Sequence, residues 1–430
     1  MNWIFACLLS LTLVPAQNNA QNNWPGFRGS GDSHSDARNL PLEWSDSKNI
    51  AWSVNLPGYG QSSPVVWRDK VFVTSIDGEN KEKLLITSLD LKSGRVLWTR
   101  EYASTYPRKN VGFVSKAAPT PVVDRQRLFV FFESGDLFAF DHQGKLLWRR
   151  ELAREYGGPK NGYGLGSSIA LTERAVVVLI ADYGPSYLLS IDKATGKNIW
   201  KTDMPLGVSW ATPAITTHQG RTQIIINVNS RAVAYDAASG KEIWVINTKK
   251  NDIIPSPSVS GDLVVFGSEV KGSNFAVRLG GEGDVTDKQI AWRAKNATAY
   301  YASPLIYQGR VYFVNKVGVI FCLDLKTGDE LWNTRIEGEC WASPFAVGDR
   351  IYFFTVDGNS QVLRAGDKPE LLAQNHLSIE GRVYGVASVD NALLVRTGRR
   401  LICLSEKGDH RRERPITSTE KQPETISPEQ

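Results

Sequence analysis

The stretch "YDAASGKEIW", residues 235–244, decides the fold, because the chain writes it again and again. "LDLKSGRVLW" occupies 89–98, "IDKATGKNIW" 191–200 and "LDLKTGDELW" 323–332, and a looser copy, "FDHQGKLLW", runs 140–148. In the four closest copies Asp and Trp stand eight residues apart, as Asp90 and Trp98, Asp192 and Trp200, Asp236 and Trp244, Asp324 and Trp332. The Asp accepts hydrogen bonds from amides of a tight turn, and Gly94, Gly196, Gly240 or Gly328 supplies the positive φ that closes it. A constant offset sets Trp98, Trp148, Trp200, Trp244 and Trp332 at one height on an outer strand, where each ring can wedge against the neighbouring repeat. Trp292 ends a divergent copy, "KQIAW", and Trp52 in "NIAWSV" has the same local pattern.

From Trp98 to Trp332 the closing tryptophans recur at intervals of 40 to 52 residues, the size of one four-stranded propeller blade. A second phrase precedes each turn: "SSPVVWRDKVFVTS" (62–75), "PTPVVDRQRLFVFF" (119–132), "PSPSVSGDLVVFGS" (255–268), "ASPLIYQGRVYFVN" (302–315) and "ASPFAVGDRIYFFT" (342–355). A Ser/Thr-Pro pair begins a short apolar strand, where a missing N–H costs no ladder bond, and an alternating strand returns. Looser versions start near Gly166, Thr212 and Gly385. Ser63, Ser256, Ser303 and Ser343 are therefore strand-start residues rather than nucleophiles.

These units predict an all-β fold, an eight-bladed propeller of four-stranded antiparallel blades, with seven blades as the competing count because 342–375 contains no Trp. The last unit ends at "LICL" without a fourth strand. The segment 49–56, "NIAWSVNL", supplies it from the front of the chain and closes the ring without an open edge. The expected organisation is a cleaved signal peptide at 1–20, an N-terminal extended segment at 21–48, the propeller at 49–404 and a disordered polar tail at 405–430. The run from Trp3 to Val14 is too short to span a bilayer, so no transmembrane span is expected in the mature chain, which is exported, periplasmic or secreted.

Composition sets the remaining bounds. The 430 residues are 42% hydrophobic and 22% charged, ordinary for a globular protein, and a net charge of +5 dispersed among acids gives no reason to expect nucleic-acid binding. Beyond Cys7 in the leader, only Cys322, Cys340 and Cys403 occur, with no vicinal pair, no CxxC and no His placed to complete a zinc site.

The Asp-x-x-(Ser/Thr)-Gly-x-x-x-Trp phrase resembles the repeat of pyrroloquinoline-quinone propellers. One branch comprises quinoprotein alcohol dehydrogenases, which hold the quinone and Ca²⁺ over the central channel; another comprises non-catalytic relatives similar to BamB. The opening "WPGFRGSGDS" (24–33) also resembles the lead-in of secreted proteins with this repeat. The resemblance to the dehydrogenases implies a disulfide of adjacent cysteines against the quinone, which this chain lacks. It also implies a calcium cradle whose residues do not map onto this sequence. The favoured reading is a non-catalytic, protein-binding scaffold of the bacterial envelope with no cofactor. The alternatives are a dehydrogenase using pyrroloquinoline quinone and calcium, and a carbohydrate- or small-molecule-binding propeller.

Blade geometry places loops before first strands and loops between second and third strands on one face. Trp210, Tyr300, Tyr301, Trp341 and Tyr384 gather there with Lys116, Arg231, Lys316 and Arg382, and either plug the channel or form a recognition surface. The acids and amides on that face, Glu133, Asp182, Asn229, Glu269, Asn315 and Glu339, read as solvated turn residues. The repeated Asp-to-Gly turn lies on the opposite face, so its Trp reads as a structural latch rather than a cofactor platform.

Overall fold

The structure, a computed structural model, describes residues 23–406 apart from 111, 113 and 249–253. The apolar leader at 1–20 and the tail beyond Glu406 lie outside the described residues. Four-stranded antiparallel sheets follow one another along the chain at 65–103, 122–151, 170–203, 214–247, 258–293, 305–335 and 345–376. A three-stranded meander at 385–404 takes its fourth strand from Ile50–Gly60, which runs antiparallel to Gly398–Leu404. At Tyr59 the same strand pairs with Ile76 of the 65–103 sheet, so the two ends of the chain are sewn together. The borrowed strand was expected at 49–56 and extends to Gly60.

Packing explains the sequence pattern. Second strands such as Ala175–Ile180 and Leu128–Phe131 are buried along their whole length, because each sheet has a neighbour on both faces. Outer strands such as Val96–Ala103 alternate between half-buried and exposed residues over most of their length. The apolar clusters each span two successive sheets, and one joins the 345–376 and 385–404 sheets to Trp52, Val66 and Val71 at the front. The result is a closed β-propeller. Each buried Val, Leu, Ile or Phe contributes about 1.5–3 kcal/mol to its cohesion.

The strand-start hydroxyls form a belt around the axis. Ser63 N–H donates to Thr120 Oγ1 at 3.1 Å, Thr120 N–H to Ser168 Oγ at 2.9 Å, and Ser168 N–H to Thr212 Oγ1 at 3.1 Å. The series continues through Thr212 to Ser256 (2.8 Å), Ser256 to Ser303 (3.0 Å) and Ser303 to Ser343 (2.9 Å). Gly385 holds the equivalent place in the 385–404 sheet; a Cβ there would fall 2.1 Å from Ser63 Oγ.

On the opposite, lower face the repeated phrase acts as a latch. Trp52, Trp98, Trp148, Trp200 and Trp292 donate their indole N–H to Leu91, His142, Lys193, Ala237 and Leu325, each the residue after the turn Asp of the next sheet. Trp332 donates to Gly366 in the same way. Trp244, in the copy quoted first, departs from this pattern. Its N–H bonds Gln223 of its own sheet at 3.2 Å, because the next sheet has no Asp-to-Gly turn there and Gly283–Asp284 lies parallel to the outer strand instead. Its ring still joins the apolar cluster shared with that next sheet.

Residues 23–35 form a hairpin that enters the channel from the lower face. Asn23–Trp24 runs antiparallel to Val65–Trp67 and His34–Ser35 returns parallel to Phe345–Val347. At its tip the buried Arg28 donates to Ser258 Oγ at 2.7 Å, Pro257 O at 3.0 Å and Pro304 O at 3.2 Å, beside the hydroxyl belt. Residues 23–35 of the expected extended segment are thus an axial stopper, and the chain then runs over the 345–376 sheet, where Trp44 N–H donates to Asn375 Oδ1 at 2.9 Å.

Candidate functional site

The belt fixes what stands above it. Trp210, Tyr301 and Trp341 each lie two residues before a belt hydroxyl, so the pinned strand starts hold their rings around the upper mouth. Tyr300 and Tyr301 meet with centroids 4.4 Å apart, Tyr301 and Trp341 at 4.5 Å, and Trp341 and Tyr384 at 5.8 Å. Tyr384 then shares a 2.7 Å hydroxyl hydrogen bond with Tyr59. Three cations cover this arc: Lys316 lies 5.2 Å from the Tyr300 ring centre, Arg382 4.6 Å from that of Trp341 and Lys116 5.7 Å from that of Tyr59. The structure therefore brings Tyr301, Trp341, Tyr384, Lys116 and Lys316 into one continuous chain of contacts.

Trp210 stands apart from that chain. Its N–H donates to Gly164 O at 2.9 Å and its ring meets Tyr163 edge-on. Arg231 is not at the mouth: its guanidinium is drawn to the Glu242 carboxylate at 3.0 Å, toward the outer strands. Sequence reasoning missed Tyr59, which lies on the borrowed strand and carries no repeat signal, and Lys81.

Burial dominates the electrostatics. It pushes the Tyr301 hydroxyl up to about 12, with Tyr300 and Glu339 adding to the shift. It lowers the Lys116 ammonium from its ordinary value, and Lys81 and Arg382 lower it further as like charges. Beneath Lys116, Lys81 Nζ pairs with Glu133 at 3.2 Å and both side chains are buried. Glu133 and Asp182 are thus not the solvated turn acids expected. Glu133 accepts from Ala117 N–H at 2.9 Å, and Asp182 accepts from the N–H groups of Lys160 and Gly184 at 2.7 and 2.8 Å. Loops of adjacent sheets fold over these acids and supply the donors. Asn315 accepts from the amides of Val317 and Val319 in its own turn, Asn229 donates to Leu206 O, and Glu269 remains exposed.

Among the described residues no three His, Cys, Asp or Glu side chains gather as a metal site. Cys322, Cys340 and Cys403 are buried and free, and burial pushes each thiol up to about 12. Glu133 and Asp182 are consumed by local donors, and Glu269 and Glu339, which both act on the Tyr301 hydroxyl, gather no third acid, His or Cys beside them among the described residues. This donor set does not fit a calcium-bound quinone. No described helix is long and apolar enough to cross a membrane.

Relatives include a BamB protein and two enzymes. The outer membrane protein assembly factor BamB of Bordetella pertussis is 22% identical over 376 residues, covering 82% of this chain and 85% of that protein. Tetrathionate hydrolase of Acidithiobacillus ferrooxidans is 24% identical over 292 residues, or 62% of this chain. Polyvinylalcohol dehydrogenase of a Pseudomonas species is 23% identical over 380 residues, or 75% of this chain. The matches span 53% of the length of each of these two enzymes. Among solved structures, BamB from Moraxella catarrhalis superposes with a TM-score of 0.61 at 14% identity, over 83% of this chain and 99% of that one. Quinohemoprotein alcohol dehydrogenase from Comamonas testosteroni gives 0.67 at 13%, over 94% and 83%. These likenesses show the propeller fold. A family sequence model, PQQ_2, described as outer membrane protein assembly factor BamB, matches residues 37–183, 184–279 and 278–424, and the chain belongs to this family of PQQ-like repeat β-propellers.

Proposed function

We propose that this protein is an exported, eight-bladed, non-catalytic propeller that binds a protein partner in the bacterial envelope through its upper face. The observation that carries the reading is the mouth itself. A contiguous arc from Tyr300 to Tyr59 is overlaid by Lys316, Arg382 and Lys116, with Glu133 paired to Lys81 beneath it. Aromatic rings and guanidinium groups held rigid at one surface are the residues that dominate protein recognition. Trp341 is enclosed by Tyr301, Tyr384 and Arg382 rather than open as a stacking shelf. That enclosure favours a protein surface over a planar quinone or a sugar ring. The belt, counted with Gly385, supports eight blades. The relationship to BamB, a protein whose name places it in outer-membrane assembly, supports export and an envelope partner.

Two measurements test the reading. A photo-crosslinking residue at position 316 on the upper face should give discrete envelope-protein adducts, and one at the exposed position 92 in a lower-face turn should not. Titration with pyrroloquinoline quinone and Ca²⁺ should leave absorbance and melting temperature unchanged; a saturable shift with dye-coupled alcohol oxidation would establish the dehydrogenase instead.

A further inference from the structure

The upper face is electrically divided, and the division names a partner chemistry. Over the 258–404 sheets its loops mix cations with Glu269, Glu337, Glu339, Asp357 and Glu380. Over the 122–247 sheets, the segments 104–110, 157–164, 182–186 and 204–208 contain one acid, Asp182, which is fully buried. The same segments carry Lys109 and Lys160, both exposed, and much of the molecule's exposed aromatic and aliphatic surface. Tyr163 and Tyr183 are each 56% exposed, Leu206 57% and Tyr106 38%. Apolar side chains left this open, in a row and rimmed by cations, mark an interaction surface rather than scattered exposure.

The row is continuous and rigid. Tyr106 covers the backbone at Gly158, where a Cβ would fall 2.4 Å from its ring, and Lys160 lies against Gly184 beside Tyr183. Asp182 joins the next two loops: its carboxylate takes the amides of Lys160 and Gly184, and its carbonyl takes Gly207 N–H next to Leu206. Arg108 locks the first loop to the second through the carbonyls of Pro159 and Asn161. Of the acids flanking the row, Asp203 and Glu155 are paired with Lys201 and Arg150, while the exposed Glu79 and Glu82 adjoin only the first loop, where Asn110 N–H donates to Glu79 O and Ser104 N–H to Glu82 O. A preformed surface of this kind loses little entropy on docking.

Resting on the partner-binding reading above, we infer that the rim formed by Tyr106, Lys109, Lys160, Tyr183 and Leu206 docks an acidic segment of the partner protein that also carries aromatic or leucine side chains. The partner's carboxylates meet Lys109 and Lys160, and its apolar side chains cover Tyr106, Tyr183 and Leu206. With no free acid in these loops, a basic or neutral segment gains no counter-charge, so charge sets selectivity while the apolar row sets affinity.

The test uses the full chain and three probes: a labelled synthetic peptide alternating Asp or Glu with Phe or Leu, its Lys/Arg counterpart, and phosphatidylglycerol vesicles. The acidic peptide should bind saturably and weaken as salt rises. Binding should fall at least about tenfold in Lys109→Glu/Lys160→Glu and, independently, in Tyr183→Ser/Leu206→Ser, with melting temperatures unchanged. Equal binding of acidic and basic peptides, no effect of either double variant, or capture of vesicles but not peptide would overturn the inference. Peptide binding lost in Trp341→Ala yet kept in both rim variants would overturn this assignment while leaving upper-face recognition standing.

Discussion

The indole of Trp148 rests on Gly196 of the next sheet: a Cβ added at Gly196 would lie 2.8 Å from Trp148 Cδ2, and Trp148 Nε1 donates to Lys193 O at 3.1 Å. The turn glycine is therefore required twice, once for its φ of +70° and once because the neighbouring ring occupies the space of a side chain. The same pair recurs as Trp52 with Gly94, Trp98 with Gly144 and Trp200 with Gly240.

Gly196→Ala should accordingly lose about 2–5 kcal/mol, from a left-handed backbone penalty of about 1–2 and overpacking of about 1–3. Gly220→Ala separates the two effects, because Gly220 has φ +77° and nothing within 4 Å of a Cβ. It should lose only about 1–2 kcal/mol. Urea denaturation of both variants measures the difference; equal losses would remove the steric half of the latch.

The hydroxyl belt makes a second prediction. Ser303→Ala leaves the buried Ser256 N–H without its 3.0 Å acceptor, a loss of about 1–3 kcal/mol. Gly385→Ala should be more damaging, because its Cβ would lie 2.1 Å from Ser63 Oγ and 2.8 Å from Ser63 Cα. Hydrogen exchange should show the amides of Ser256 and Ser303 among the slowest in wild type, with Ser256 accelerated in Ser303→Ala.

Stability should also fall in acid through the repeated turns. Burial pushes the Asp236 carboxyl up, but hydrogen bonds from Arg221 and Ser239 outweigh it and hold it at about 2. The amides of Thr327 and Lys326 likewise hold Asp324 below the usual carboxylate range. A carboxyl depressed in the folded state stabilises it above the unfolded value, and that stability is lost as pH falls through the folded value. Melting temperature should therefore drop between about pH 4 and pH 2, and Asp236→Asn should flatten that limb. An unchanged acid limb in Asp236→Asn would show that these turns do not set acid sensitivity.

The repeat made the ring legible from sequence, because Asp, Gly and Trp at fixed offsets report a geometry that recurs. Ring closure was legible too, since a strand missing at "LICL" has one plausible donor at the front. The fate of Trp244 was not, because it depends on residues 279–289 of the next sheet, which replace the turn its indole would have met. Glu133 and Asp182 looked like solvated loop acids because polar loops usually are; only the neighbouring loops folded over them reveal their donors. Arg231 failed for a related reason, as its loop is on the upper face while Glu242 pulls the side chain away.

Arg28 supplies the prediction that sequence gave least reason to make. Its guanidinium is almost fully buried, its pKa lowered to about 10 by that burial with Asp32 opposing, and its backbone sits at φ +59°. The hairpin it ends touches inner strands around much of the ring: Val123 N–H donates to Pro25 O at 2.8 Å, Ala346 N–H to Ser33 O at 2.9 Å, and Ser35 Oγ–H to Ser388 O at 3.0 Å. Arg28→Ala leaves Ser258 and the carbonyls of Pro257 and Pro304 without this donor and opens a cavity at the axis. Relief of the desolvated charge offsets part of the cost, so the net loss should be about 1–3 kcal/mol. Because the hairpin ties sheets from opposite ends of the chain, the loss should be distributed rather than local. Hydrogen exchange should quicken together at Val123 and Ala346, which are far apart in sequence and share only this stopper. Faster exchange at one without the other would mean that the hairpin docks as separate pieces and does not clasp the ring.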